Sequence, residues 1–229
     1  ASSNTDGTIT SSVSANTTNG FSIVSYTGTG ANATVGHGLG VAPKMVIVKN
    51  RDGTQGWGVY HASLGNTKNL RLNRTDAVAT SSAFWNDTTP TSTVFSLGAN
   101  GNQNGNNGTY VAYCFAEIQG FSKMGSYVGN GNNDGNFVYL GFKPAFVIIK
   151  ADGTEAWRMV DNKRIGFNVD NRYLTPNDSV VESGSVSDID LLSNGFKLRS
   201  AAGNYNSGND YIYLAFAEEP LVSTNGIPA

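Results

Sequence analysis

The chain has 229 residues, a single cysteine and a formal net charge of −2, and charged residues make up 14% of it, against about 25% in an average globular domain. So balanced a charge excludes the basic face of a broad nucleic-acid binder. One cysteine excludes an intrachain disulfide, and no apolar run approaches the ~18 residues of a spanning helix, so membrane insertion is not expected. With 28 glycines and 39% apolar residues, the composition predicts a turn-rich chain with a neutral polar surface and enough core for one large or two small domains.

Residues 1–19 are polar and read as a linker or arm. They lack the basic and apolar regions of a signal peptide, and the start without Met fits a processed product or a piece of a longer chain. From Gly20 onward the sequence repeats itself. Gly20-Phe21-Ser22 returns as Gly120-Phe121-Ser122, and Tyr26-Thr27-Gly28 as Tyr127-Val128-Gly129. Leu39-Gly40-Val41-Ala42-Pro43 returns as Leu140-Gly141-Phe142-Lys143-Pro144, and Val46-Ile47-Val48-Lys49 as Val147-Ile148-Ile149-Lys150. Asp52-Gly53-Thr54 with Trp57 matches Asp152-Gly153-Thr154 with Trp157, and residues 110–117 match residues 211–218. A domain-sized repeat in constant order is a duplication rather than a solenoid. The expected organisation is therefore an arm (1–19), a first repeat (20–119), a second repeat (120–219) and a tail (220–229).

Within each repeat the elements read as short strands. Residues 45–49 follow a proline and are almost continuously apolar, which predicts a strand buried on both faces. In residues 211–217 Tyr211, Tyr213, Ala215 and Ala217 share one face, while Ile212, Leu214 and Phe216 share the other. Asn-Gly or Asp-Gly pairs begin at Asn19, Asp52, Asn100, Asn107, Asp134, Asp152 and Asn194 and mark tight turns. No long window carries a capped helical period. The expected fold is all-β: two tandem β-sandwiches, lectin- or jelly-roll-like, of about 100 residues each.

The chemistry-bearing residues are few. His37 and His61 lie in separate elements and, with Cys114, lack the tight spacing of a zinc site. His61, Ser63 and Asp52 resemble no nucleophile elbow. Glu117 and Glu218 end equivalent strands, so a duplicated structural role fits better than a glycosidase pair. The loop with Asn130, Asn132 and Asp134 echoes the start of a calcium loop, but Gly141 stands where the closing Glu belongs, and a turn is the preferred reading. Trp57 and Trp157 read as core, and Cys114 as a buried inert thiol. Trp85, beside Asn86 and Asp87, has the chemistry of a sugar-contacting loop, a stacking ring next to planar hydrogen-bonding groups. No catalytic residue and no cofactor is expected.

The stretches 20–30, 35–50 and 57–61 (Trp57-Gly58-Val59-Tyr60-His61), together with Tyr213-Leu214-Ala215-Phe216-Ala217-Glu218, resemble a domain of unknown function in tail-fibre and structural proteins of bacteriophages. There it often follows a SPRY-like lectin sandwich. The resemblance runs from about Asn4 to Pro228. It implies a non-enzymatic protein on the virion surface, outside the cell; a neutral polar surface rich in Asn, Thr and Tyr then suits display of loops for host-surface or glycan attachment. The alternatives are a purely architectural fibre-shaft or capsid-decoration domain and a carbohydrate-active depolymerase. The implied partners are further copies of the chain (a trimer by analogy with fibres), other virion proteins and a host glycan.

Overall fold

The computed structural model describes residues 1–164, 168, 172–182, 184 and 188–219. The predicted tail, 220–229, lies outside the described residues. The chain divides into two compact units, one of residues 1–72 and 78–117, the other of residues 73–77 and 118–229.

The first unit runs β1 (Ser2–Asn4), β2 (Ser11–Asn16), β3 (Phe21–Thr27), β4 (Ala33–Gly36), β5 (Met45–Asn50), β6 (Gly58–His61), β7 (Lys68–Arg71), β8 (Ala79–Thr80), α1 (Ser82–Trp85), β9 (Val94–Leu97), α2 (Gly101–Asn104) and β10 (Thr109–Phe115). Its large sheet has the order β1-β2-β3-β10-β5-β6-β7-β8, and β4 pairs with β9 in a second sheet. All these pairings are antiparallel. Val24, Tyr26, Val46, Val48, Tyr110 and Ala112 of the large sheet are buried in one cluster with Val35, Phe95 and Leu97 of the small one. Each buried valine, leucine or phenylalanine among them contributes roughly 1.5–3 kcal/mol of apolar burial.

The second unit runs β11 (Ser122–Val128), β12 (Phe137–Tyr139), β13 (Pro144–Ala151), β14 (Arg158–Asp161), β15 (Ile189–Leu192), β16 (Gly195–Leu198) and β17 (Asp210–Ala217). Its sheets have the orders β11-β17-β13-β14 and β12-β16-β15, again antiparallel. Tyr211, Tyr213, Ala215 and Ala217, which the alternation places on one face, share a cluster with Val138 and Phe196 of the smaller sheet, and Ile212 and Leu214 of the other face are buried too. The chain is thus all-β, built of several antiparallel sheets.

Two expectations need correction. Residues 1–19 are no free arm: β2 pairs with β3 from Ser12↔Ser25 to Asn16↔Phe21, and β1 pairs with β2. Their polar look has a physical reason. β2 buries only alternate residues, Ser11 and Val13, so most of its side chains face solvent. The expectation of strands alone also missed α1 and α2, each four residues long and too short for a periodic signal.

Glycine is required at two corresponding points. A Cβ at Gly28 would stand 2.4 Å from the Gly105 carbonyl oxygen, and one at Gly129 1.7 Å from that of Ser207. At each point one backbone rides directly on another.

Candidate functional site

The loops beside the sheets are held by the same device in each unit. Asn104 is fully buried; its Oδ1 accepts from the Thr29 amide (2.9 Å) and its Nδ2 donates to the Ala31 (2.6 Å) and Gly98 (2.9 Å) carbonyls. Asn206 is equally buried; its Oδ1 accepts from the Asn130 amide (3.0 Å), and its Nδ2 donates to Asn130 Oδ1 (2.8 Å) and the Asn132 carbonyl (2.7 Å). The Gly30 and Gly131 amides donate to the backbone carbonyls of Asn104 and Asn206. Beneath them Tyr26 stacks on Tyr110 (5.3 Å between centroids) and Tyr127 on Tyr211 (4.9 Å). The hydroxyls of Tyr26 and Tyr127 each donate at 2.7 Å, to the Gln103 and Tyr205 carbonyls. Those of Tyr110 and Tyr211 donate to the Gly101 and Gly203 carbonyls and accept from the Gly105 and Ser207 amides. Buried backbone groups are costly unless paired, so these side chains fix the loop conformations.

Lysines do similar work. Lys49 Nζ donates to the Asn50 and Gly53 carbonyls, and Lys150 Nζ to those of Ala151 and Gly153, closing the two Asp-Gly turns. Lys150 is fully buried. Desolvation lowers its pKa to about 8, against the raising effect of Glu155, Asp152 and Asp76.

The predicted sugar contact does not assemble. Trp85 is 1% exposed, in the core on α1, with its ring edge-on to Tyr60 at 5.7 Å. A ring closed in on this scale offers no face to a sugar. The signal misled because the left-handed Asn86 (φ 50°) and Asp87 (φ 45°) end the helix just after a buried residue. Asn86 accepts from Asn32 Nδ2 at 2.7 Å, and Asp87 is exposed. The loop with Asn130, Asn132 and Asp134 is a turn in which Asn130 Oδ1, the Asn132 carbonyl and the Asp134 carboxylate are already engaged. Asn130 Oδ1 accepts from the Asn132 amide as well as from Asn206, and Asp134 pairs with Lys197 at 2.7 Å. That hydrogen bond holds the Asp134 carboxyl below its ordinary range. Among the described residues no group of three or more His, Cys, Asp or Glu is placed to hold a metal ion.

Of the remaining candidates, His37 is buried between the Thr91 carbonyl at Nε2 (3.1 Å) and the Leu39 amide at Nδ1 (3.2 Å), an arrangement of the neutral ring; burial lowers its pKa. His61 Nδ1 accepts from the Ser63 amide. Glu218 pairs with Lys143 at 2.6 Å, which lowers its pKa. Asp52 accepts from the Thr109 amide and hydroxyl. Trp157 is buried, whereas Trp57 is half-buried and lies parallel to Tyr113.

Two features of the second unit were missed in the sequence. A concavity of about 570 Å³ is lined by Arg158, Tyr173, Thr175, Asp178 and Glu182 among others. Arg158 lies 4.4 Å over the Tyr173 ring, and Glu182 is held by Arg164 and Arg172, which lower its pKa. On β12, Phe137 and Tyr139 stand exposed at 44% and 61%. The run Asn136-Phe137-Val138-Tyr139 carried the signal, an alternation with an aromatic at every second place.

These features define an all-β protein whose buried polar groups and titratable side chains largely serve to hold loops in place. Residues 1–220 match the family described as a domain of unknown function, DUF7483, and the chain belongs to that family. No curated protein and no solved structure matches the chain.

Proposed function

We propose that this chain is a non-enzymatic structural protein of a phage virion, tail-fibre-like, and that it works by displaying fixed loops to a host-surface glycan. In this reading the chain is two tandem β-sandwiches produced by duplication. The observation that carries it is the repeated clamp, in which Asn104 and Asn206, each over a stacked tyrosine pair, hold equivalent turns. Loops fixed in this way lose little conformational entropy on contact, and many copies on one particle raise weak contacts by avidity. The virion assignment rests on the resemblance of the residues quoted above, and the neutral polar surface agrees with a sugar partner.

The test is binding of the purified chain, monomeric and displayed in many copies on beads, to candidate bacterial host cells. Saturable binding strengthened by display supports the reading, whereas absence of binding in both formats overturns it.

A second reading, a fibre-shaft or decoration domain, is favoured by one observation. β1 and β11 are outer strands of their sheets, and Val128 at the end of β11 is 59% exposed, so edge pairing between copies would extend the sheets. Sedimentation of the chain as a concentration-dependent oligomer would support it. The depolymerase reading has less behind it, because Glu182 is occupied by two arginines and Glu218 by Lys143.

A further inference from the structure

The two units differ at one corresponding surface. β4 and β12 take equivalent places in their small sheets: Val35 pairs with Phe95, and Val138 with Phe196, all four in the cores. The residues to either side of these valines point away from the core. In the first unit they are Thr34 and Gly36, and the chain covers them itself. The Thr8 amide donates to Thr34 Oγ1, the Ile9 amide to the Thr34 carbonyl and Ser11 Oγ to the Gly36 carbonyl. A Cβ at Gly36 would stand 1.6 Å from Asn4 Oδ1.

In the second unit the corresponding residues are Phe137 and Tyr139, and both rings stand in solvent. The Phe137 ring lies against Gly195, where a Cβ would meet its Cζ at 3.0 Å. Lys123 lies 5.4 Å from the Tyr139 ring centre and donates to the Tyr139 carbonyl at 3.0 Å. Lys197 nearby is neutralised by Asp134, and Arg199 by Asp190. Among the described residues no carboxylate pairs with Lys123.

We infer that Phe137, Tyr139 and Lys123 form a binding site for an acidic pyranose oligosaccharide. This rests on the attachment reading above and names its site. Rings fixed on a strand stack against the C–H faces of a sugar, and the unneutralised ammonium at their edge complements a uronate-type carboxylate. The patch does not suit a stable protein interface. Two exposed aromatic side chains fall far short of the roughly 800 Å² per partner that such an interface buries.

The test is calorimetric titration of the full chain with oligogalacturonate and, as the neutral counterpart, cello-oligosaccharide. It compares wild type with Tyr139→Ala, Phe137→Ala/Tyr139→Ala and Lys123→Gln, each checked for an unchanged melting temperature. The expected result is salt-sensitive binding of the acidic probe, weakened at least tenfold by Tyr139→Ala and brought down to the neutral level by Lys123→Gln. If the double variant binds either probe as wild type does, this site is wrong while the attachment reading stands. If wild type binds host cells but neither probe, the acidic-sugar assignment falls alone, and if it binds neither cells nor probes, both fall. A change from oligomer to monomer in Tyr139→Ala, without sugar binding by wild type, assigns the patch to self-association and overturns the proposal.

Discussion

Asn104 and Asn206 do the same work in their respective units: each accepts through Oδ1 the amide that opens a turn, that of Thr29 or Asn130, and donates through Nδ2 to the carbonyl two residues on, that of Ala31 or Asn132. Neither side chain reaches solvent. Asn104→Ala and Asn206→Ala each remove three hydrogen bonds at about 1 kcal/mol apiece and strand buried backbone groups. Each is expected to cost ~2–4 kcal/mol by urea unfolding, whereas Asn106→Ala, on the exposed side of the same loop, should stay within about 0.5 kcal/mol.

Lys150 sets a pH dependence with a definite sign. Its folded pKa of about 8 lies below the ordinary 10.5 because burial disfavours the ammonium. Between those values the unfolded chain binds the extra proton, so stability rises with pH across the window. Measured as the wild-type stability minus that of Lys150→Met, the gain from pH 8 to 10.5 should approach about 3 kcal/mol as an upper bound. A flat difference would show that burial leaves the Lys150 pKa at its ordinary value.

The opposite sign holds for Cys114. Desolvation pushes its thiol from 9.0 up to about 12. Its contribution is complete below pH 9.0 and is lost as pH rises toward about 12. Buried Tyr26 and Tyr127, raised above 10.0 by the same cause, add to the alkaline loss. At pH 8 the native thiol should not react with a disulfide reagent over hours, and should react within minutes in denaturant. Fast reaction of the native chain would contradict its burial.

Trp85 separates core from site. Trp85→Ala should destabilise by ~3–5 kcal/mol through the cavity it leaves. Asp87→Ala, at an exposed position, should change stability by less than about 0.5 kcal/mol. A stable Trp85→Ala that lost only cell binding would restore the loop reading.

Strand faces were legible where alternation sorts side chains to one side or the other. Tyr211, Tyr213, Ala215 and Ala217 were read as one face and all lie in the core. The positive φ of Gly20 follows from Asn19-Gly20. The role of residues 1–16 was not legible, since an outer strand pairing through its backbone can carry mostly serine and threonine side chains. Nor was the site. Trp85 beside Asn86 and Asp87 has the composition of a sugar loop, but composition does not reveal that α1 turns the indole inward. Phe137 and Tyr139 alternate in the sequence, but that they stand uncovered shows only beside Thr34 and Gly36, which residues 4–11 cover.

The central claim, display of fixed loops to a surface glycan without chemistry on it, is tested most directly by mixing the bead-displayed chain with extracted host surface polysaccharide and following capture and release of reducing ends together. The account predicts saturable capture with no release. Release of reducing ends, or no capture by beads carrying folded chain, would contradict it.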